Sequence, residues 1–199
     1  MKFQHYFVES PEEGELITIK ETIRGHRFLF YSTSNIFSKD HVDPGTKLLA
    51  ETMVLFDEQK VLDLGCGYGV LGIVAKKVCP SCNIWLSDIN ELAVKYSKIN
   101  AKLNKVSVNV VKSNLFENIN EKFDNIITNP PFTAGKELIK KFILESYEHL
   151  NSPGLLQLVS TKKFRYVETL LKRYFDDFDL MFKQGDYLIY VGIKSGSKK

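Results

Sequence analysis

The sequence predicts an α/β protein built on an open, mainly parallel sheet with helices on both faces, introduced by a short β-hairpin and closed by another. Three observations carry that expectation. Short apolar runs alternate with helical patterns from Lys60 onward, a glycine-dense turn joins the first of those runs to a helix, and the carboxyl-terminal residues read as two strands around Gln184-Gly185-Asp186. Strand, helix, strand at this rhythm implies parallel pairing, because a parallel neighbour requires a long crossover.

The elements follow in order. Leu16, Ile17, Ile19 and Ile23, then Arg24-Gly25-His26-Arg27, then Phe28, Leu29, Phe30 and Tyr31 describe two strands around a glycine turn. Residues 34–43 are polar and irregular, and Pro44-Gly45-Thr46 opens a helix with Leu48, Leu49, Thr52, Met53 and Leu55 on its apolar side. Core strands are expected at 61–64, 83–87, 106–111, 123–128 and 155–160, separated by helices at 70–78, 91–104, 136–150 and 163–174. Residues 178–182 and 187–193 supply the closing antiparallel hairpin. The organisation expected is one domain over 1–199, with a hairpin-and-helix extension at 1–59, a catalytic core at 60–193 and a flexible tail at 194–199.

Bulk properties narrow the function. A chain of 199 residues with 44% hydrophobic content buries a sizeable core but is short for two full domains. A net charge of +3 permits a polyanionic partner without demanding one. The odd cysteine count (Cys66, Cys79, Cys82) and an amino terminus without an apolar signal core point to a reducing, cytoplasmic setting. No stretch approaches the roughly 18 apolar residues of a membrane span. Cys79-Pro80-Ser81-Cys82 has the spacing of half a zinc site or of a redox pair. No second pair stands at ligand spacing, and His5, His26, His41 and His149 are scattered, so the reading is two ordinary thiols at a helix-to-strand turn and no metal.

Open parallel sheets hold ligands beyond the carboxyl ends of their strands. After the first core strand comes Asp63-Leu64-Gly65-Cys66-Gly67-Tyr68-Gly69, where glycine lets a ligand come against bare backbone. Gly67, Gly69 and Gly72 also meet the G-x-G-x-x-G spacing of a dinucleotide site, so a nicotinamide cofactor competes. Asp63 tips the balance: a carboxylate there suits the cationic amine of S-adenosylmethionine (SAM) and repels a pyrophosphate. Its alternative is to cap the strand end or turn. Asp88 closes the second strand, where an acid accepts ribose hydroxyls in either cofactor class, and Ile89 can cover an adenine face. Asp88 or Asn90 can instead cap the next helix. After the third strand, Asn114-Leu115 offers an amide suited to an adenine edge or to a turn.

The fourth strand runs directly into Asn129-Pro130-Pro131-Phe132. Two prolines fix the backbone and end strand pairing, which sets the Asn129 side chain and the Asn129 and Pro130 carbonyls beside an aromatic ring. Together with the glycine loop, this motif resembles the class I SAM-dependent methyltransferases, within them the amino-methylating group marked by Asn-Pro-Pro-aromatic. The nearer likeness is to the small-domain type typified by bacterial ribosomal RNA guanine-N2 methyltransferases and their compact archaeal relatives. Ile36-Phe37-Ser38 and Asp43-Pro44-Gly45-Thr46-Lys47-Leu48-Leu49 are similar to that group's signature ahead of the core, and the resemblance covers residues 15–193.

The resemblance implies a Rossmann-like seven-stranded sheet whose last strand is antiparallel, with Phe37 and Thr46 near the cofactor pocket. Bacterial ribosomal members carry an additional amino-terminal domain that is not expected in this chain, and Asn114 stands where relatives often have Asp. The cofactor contacts expected are Phe37, Thr46, Asp63, Gly65, Cys66, Gly67, Gly69, Asp88, Ile89, Asn90, Asn114 and Leu115. The catalytic set expected is Asn129, Pro130, Pro131 and Phe132.

An exocyclic amine is a poor nucleophile because its lone pair is delocalised into the base. Acceptors that take its hydrogens stabilise the positive charge developing on nitrogen, a role that falls to the Asn129 side chain and the Pro130 carbonyl. Phe132 would stack on the base, a contact worth roughly 1 to 3 kcal/mol. Arg24, His26, Arg27, Lys39, Lys162, Lys163 and Arg165, interleaved with Phe28 and Phe164, form a candidate phosphate-contacting rim. The expected reaction is guanine-N2 methylation of RNA. Methylation of adenine N6 or of a protein glutamine is the alternative, and a non-catalytic SAM- or RNA-binding module is the third reading. By family likeness Phe132 favours guanine, since glutamine-modifying relatives usually present Tyr.

Overall fold

The computed structural model describes residues 14–36 and 40–196; Phe37, Lys39, His5 and the last three residues of the expected tail lie outside it. Strands β1 (Leu16–Ile23) and β2 (His26–Thr33) form the first hairpin, and α1 (Pro44–Thr52) follows. The core then runs β3 (Lys60–Leu64), α2 (Val70–Val78), β4 (Asn83–Asp88), α3 (Glu91–Leu103), β5 (Asn109–Lys112) and β6 (Phe123–Thr128). It continues through α4 (Lys136–His149), β7 (Leu150–Thr161), α5 (Tyr166–Tyr174), β8 (Asp177–Gln184) and β9 (Tyr187–Lys194). Seven strands make one sheet in the order β5-β4-β3-β6-β7-β9-β8. The pairings are parallel except those of β9 with β7 and β8, so the last strand is the antiparallel one.

Side-chain alternation along each strand divides the core between two faces. Val61, Ile84, Leu86 and Ile127 join α2, α3 and the hairpin on one side, while Leu62, Leu64, Ile126 and Leu158 meet α4 and α5 on the other. Because both faces are covered, Val61, Leu62 and Leu64 are all buried and β3 reads as a continuous apolar run broken by Asp63.

The hairpin is tied to α3 by two side chains. Asn100 accepts from the Tyr31 N–H at 2.7 Å and donates to the Tyr31 carbonyl at 2.8 Å, and Asn104 repeats the exchange with Leu29 at 3.1 and 2.8 Å. Four residues apart on the helix, both amides face β2. They occupy the backbone groups of an edge that would otherwise lack a ladder partner.

Four expectations change. The third core strand begins at Asn109 rather than 106, because the Val106 N–H is still bound to the Ala101 carbonyl at the exit of α3. The fifth begins at Leu150, directly after α4, and pairs Leu150 with Phe123 across an irregularity. The helix expected over 163–174 starts at Tyr166, preceded by a 3-10 turn at Lys162–Phe164. Cys79 and Cys82 are joined as a disulfide rather than being two free thiols. After α2 ends, the Cys82 N–H donates to the Cys79 carbonyl at 3.1 Å, and this turn brings the two Cα atoms to 5.4 Å. No helix among the described residues is long and apolar enough to cross a membrane.

Asn100 is fully buried, and its amide also donates to the Tyr68 carbonyl at 2.9 Å. Asn100→Ala is expected to cost about 2 kcal/mol in urea-unfolding free energy by leaving buried backbone groups unpaired. A cost below about 0.5 kcal/mol, half the net worth of one hydrogen bond, would show that something else holds the hairpin.

Candidate active site

The chain lays β4 and β5 outward from β3, then returns to place β6 on the other side of β3. The loops leaving β3 and β6 therefore diverge, the geometry that opens a crevice at the carboxyl edge of such sheets. Here the crevice is a cavity of about 520 Å³, and Thr128 Oγ1, donating to the Leu64 carbonyl at 2.7 Å, pins the two strand ends beneath it.

One half of the cavity is built by the ends of β3, β4 and β5. Asp63 is 1% exposed; its Oδ2 accepts from the Gly72 N–H at 2.8 Å, while its Oδ1, also buried, has no partner among the described residues. Burial, reinforced by the nearby Asp88 charge and opposed by the Gly72 N–H, pushes the Asp63 carboxyl up to about 7. Asp88 accepts from Gly67 N–H at 2.9 Å and Asn90 N–H at 2.8 Å, so its carboxylate ties the glycine loop to the end of β4. Its pKa is raised by burial, against those two bonds. Gly67 has φ +55°, and a Cβ there would project into open space, so a side chain would enter the cavity at a strained backbone position. Ile89, 62% exposed, and Leu115 add apolar wall, and burial holds the Cys66 thiol protonated beside Ser97.

The other half is built by β6, β7 and the start of α1. Asn129 donates through Nδ2 to Asp43 Oδ1 and to Thr46 Oγ1, each at 2.8 Å. The same Asp43 oxygen caps α1 by accepting from the Thr46 N–H at 2.9 Å. α1 comes this close because Gly45 lacks a side chain: a Cβ there would meet Val159 at 2.7 Å and Tyr187 at 2.8 Å. The Pro130 carbonyl accepts from the Phe132 N–H at 3.0 Å, which leaves it one lone pair. Phe132 stacks on Phe164 with ring centroids 4.4 Å apart and planes 13° from parallel.

The methyltransferase small domain family model matches residues 27–191. The chain belongs to that family. It is 37% identical over 193 residues to the ribosomal RNA small subunit methyltransferase C of Haemophilus influenzae (strain PittGG), covering 94% of this chain and 58% of that protein. It is 35% identical to the uncharacterized protein YbxB of Bacillus subtilis (strain 168), with 94% and 96% covered. Among solved structures, the T. thermophilus 16S rRNA N2 G1207 methyltransferase in complex with AdoMet and guanosine superposes with a TM-score of 0.81 at 26% identity. That match covers 89% of this chain and 50% of the other. The chain thus spans about half the length of the ribosomal RNA methyltransferases it matches.

In this methyltransferase domain, the expected residues Thr46, Asp63, Gly65, Cys66, Gly67, Asp88, Ile89, Asn114, Leu115, Asn129, Pro130, Pro131 and Phe132 all line the one cavity. Asn90 and Gly69 do not. Asn90 caps α3, accepting from the Leu92 N–H at 2.9 Å, and a Cβ on Gly69 would point at Ile73, Leu86 and Ser97 beneath the loop. Asn114 turns its amide N–H to Glu117 at 2.7 Å, which keeps its oxygen as the available group.

The basic rim divides. Lys162, Lys163 and Arg165 flank Phe164 in the turn that follows the cavity-lining Thr161, with Lys162 also 3.1 Å from Asp186. Arg24, His26 and Arg27 sit instead at the hairpin turn, where Arg24 binds Glu51 and the Met53 carbonyl at the far end of α1, and Phe28 is buried in the core. Sequence reasoning missed Asp43 and Phe164 as site residues. Asp43 read as part of a signature and Phe164 as part of the rim, because neither contact is local in sequence.

Asp63 makes the domain's stability depend on pH. Its folded pKa lies above the unfolded one, so its contribution is full below about pH 4 and is lost as the pH rises through about 7. Between pH 5 and 8 the native protein should lose on the order of a few kcal/mol relative to Asp63→Asn, read from urea midpoints of both proteins. Identical pH profiles would show that the carboxyl does not titrate in that range.

Proposed function

We propose that this methyltransferase transfers the methyl group of SAM to the exocyclic N2 of guanine in RNA, ribosomal RNA being the substrate class, in the cytoplasm. The observation that carries the reading is that one cavity joins two unlike halves: buried carboxylates around a glycine loop, and a fixed amide beside paired aromatic rings. The residues fit the cofactor. Asp63 Oδ1 is buried and has no partner among the described residues, which suits a cationic amino group, and a pyrophosphate there would face both Asp63 and Asp88. Asp88 keeps lone pairs for ribose hydroxyls, Ile89 and Leu115 suit the adenine faces, and the Asn114 oxygen suits its amine. Phe37, outside the described residues, completes the proposed set with Thr46, Gly65, Cys66 and Gly67.

When bound, SAM supplies an electrophilic methyl group; the chain's own residues hold and activate the acceptor. Asn129 Oδ1 and the free lone pair of the Pro130 carbonyl accept the two amine hydrogens, favouring a pyramidal nitrogen and stabilising its developing charge. Phe132, braced by Phe164, stacks the base, and Lys163 and Arg165 meet flanking phosphates. A neutral-to-positive transition state needs fixed acceptors more than a strong base, which agrees with a cavity that no described histidine lines.

Methyl-labelled SAM with unmodified ribosomal RNA should give N2-methylguanosine on nucleoside mass spectrometry. Labelled N6-methyladenosine or methylglutamine instead would move the assignment to the alternative acceptor. Asn129→Ala should lower turnover roughly 100-fold or more, with SAM affinity by calorimetry little changed. Asp88→Ala should do the reverse, weakening SAM by roughly 1 to 3 kcal/mol. Near-normal turnover in Asn129→Ala would remove the main support for amine methylation.

A further inference from the structure

We infer that Asp43 is a positioning residue that sets which end of the Asn129 amide faces the substrate, with Thr46 as its second point of hold. The inference rests on the amine-methylation reading above and deepens it. An asparagine side chain has nearly the same shape after a half turn about its last torsion, yet the turn exchanges an acceptor for two donors. Only the acceptor is useful against an amine, which itself presents N–H groups. An Asn129 free to turn would spend part of its time opposing donor to donor.

The contacts around Asn129 remove that freedom. A carboxylate accepts and does not donate, so the group that sits 2.8 Å from Asp43 Oδ1 has to be Nδ2. Thr46 Oγ1, also at 2.8 Å, takes the second hydrogen of the same nitrogen. Both Nδ2 hydrogens are then used, and Oδ1, to which no described residue donates, is left for the cavity.

The clamp is itself held rigid. Asp43 Oδ1 caps α1 through the Thr46 N–H at 2.9 Å, and Gly45 lets the helix sit directly on Val159 and Tyr187 of β7 and β9. The carboxylate also polarises the amide it accepts from, which strengthens Oδ1 as an acceptor where positive charge develops. The segment ahead of the sheet is thereby a working part of the catalytic centre rather than a lid over it.

The test separates capping from clamping. In Asp43→Ser the hydroxyl still caps the Thr46 N–H but is too short to hold Asn129. Its kcat should fall roughly 30-fold, with SAM affinity and Tm nearly unchanged. Thr46→Val should lower kcat roughly 10-fold, and Thr46→Ser and Asp43→Asn should each recover most of the corresponding loss by restoring an acceptor oxygen. Unchanged kcat in Asp43→Ser and Thr46→Val overturns the inference, as does a kcat that falls only in step with Tm. A wild-type protein that methylates no amine would defeat the underlying reading instead. The clamp is then judged by NMR: the Asn129 side-chain N–H pair, identified by its absence in Asn129→Ala, should shift and exchange faster with water in Asp43→Ser. An unmoved pair refutes it.

Discussion

The site depends on one topological constraint: β3 and β6 are neighbours in the sheet although two crossover units separate them in the chain. Parallel neighbours point their carboxyl ends the same way, and the reversal of strand order at this pair leaves nothing between their departing loops. The glycine loop turns away over α2, and Asn129 to Phe132 turns the other way toward α4. Thr128 holding the Leu64 carbonyl at 2.7 Å keeps the two exits in fixed relation. A methyl donor and a methyl acceptor need such a relation, because in-line transfer tolerates little error in the distance between them.

The two halves of the cavity handle polarity in different ways. On the β3 side a carboxyl is buried with one oxygen unpaired among the described residues, an arrangement that is costly until a donor arrives and is therefore suited to a cation. On the β6 side each donor of Asn129 is already satisfied by Asp43 and Thr46, and what is left over is an acceptor. Unsatisfied acceptors at both ends of one crevice suit ligands that bring hydrogen-bond donors, which an ammonium group and an exocyclic amine both do.

Much of this was legible in the sequence because its causes are local. Period and punctuation located each strand and helix, though not every boundary, since apolar alternation and glycine turns act over a few residues. The glycine loop and Asn129 to Phe132 were equally visible, being short runs whose backbone demands are written into residue type. Phe164 and Asp43 were not, because their meaning lies in contacts with residues far away in the chain: Phe132 for one, Asn129 for the other. The same holds for Asn100 and Asn104, whose polar side chains on an amphipathic helix suggest a solvated face until β2 is laid against them. Asn90 and Gly69 lie off the cavity for local reasons: Asn90 caps α3, the other role its position allowed, and a Cβ on Gly69 would point beneath the loop.

On the proposed function, the Phe132–Phe164 stack also bears on how a base would enter. Rings 4.4 Å apart and nearly parallel leave no space between them, so one face of Phe132 is closed by Phe164 and a base has only the opposite face to lie on. That face belongs to the ring whose neighbours in sequence are Pro130 and Pro131, which cannot yield by backbone rotation about φ. On the proposed function, the plane of a base would thus be fixed relative to the Pro130 carbonyl, while the Asn129 oxygen is fixed by α1. A planar purine held between those two restraints keeps its exocyclic nitrogen in place with little conformational freedom left to lose at the transition state. The 3-10 turn at Lys162–Phe164, which replaced the helix start that periodicity suggested, is what carries Phe164 to its position behind Phe132.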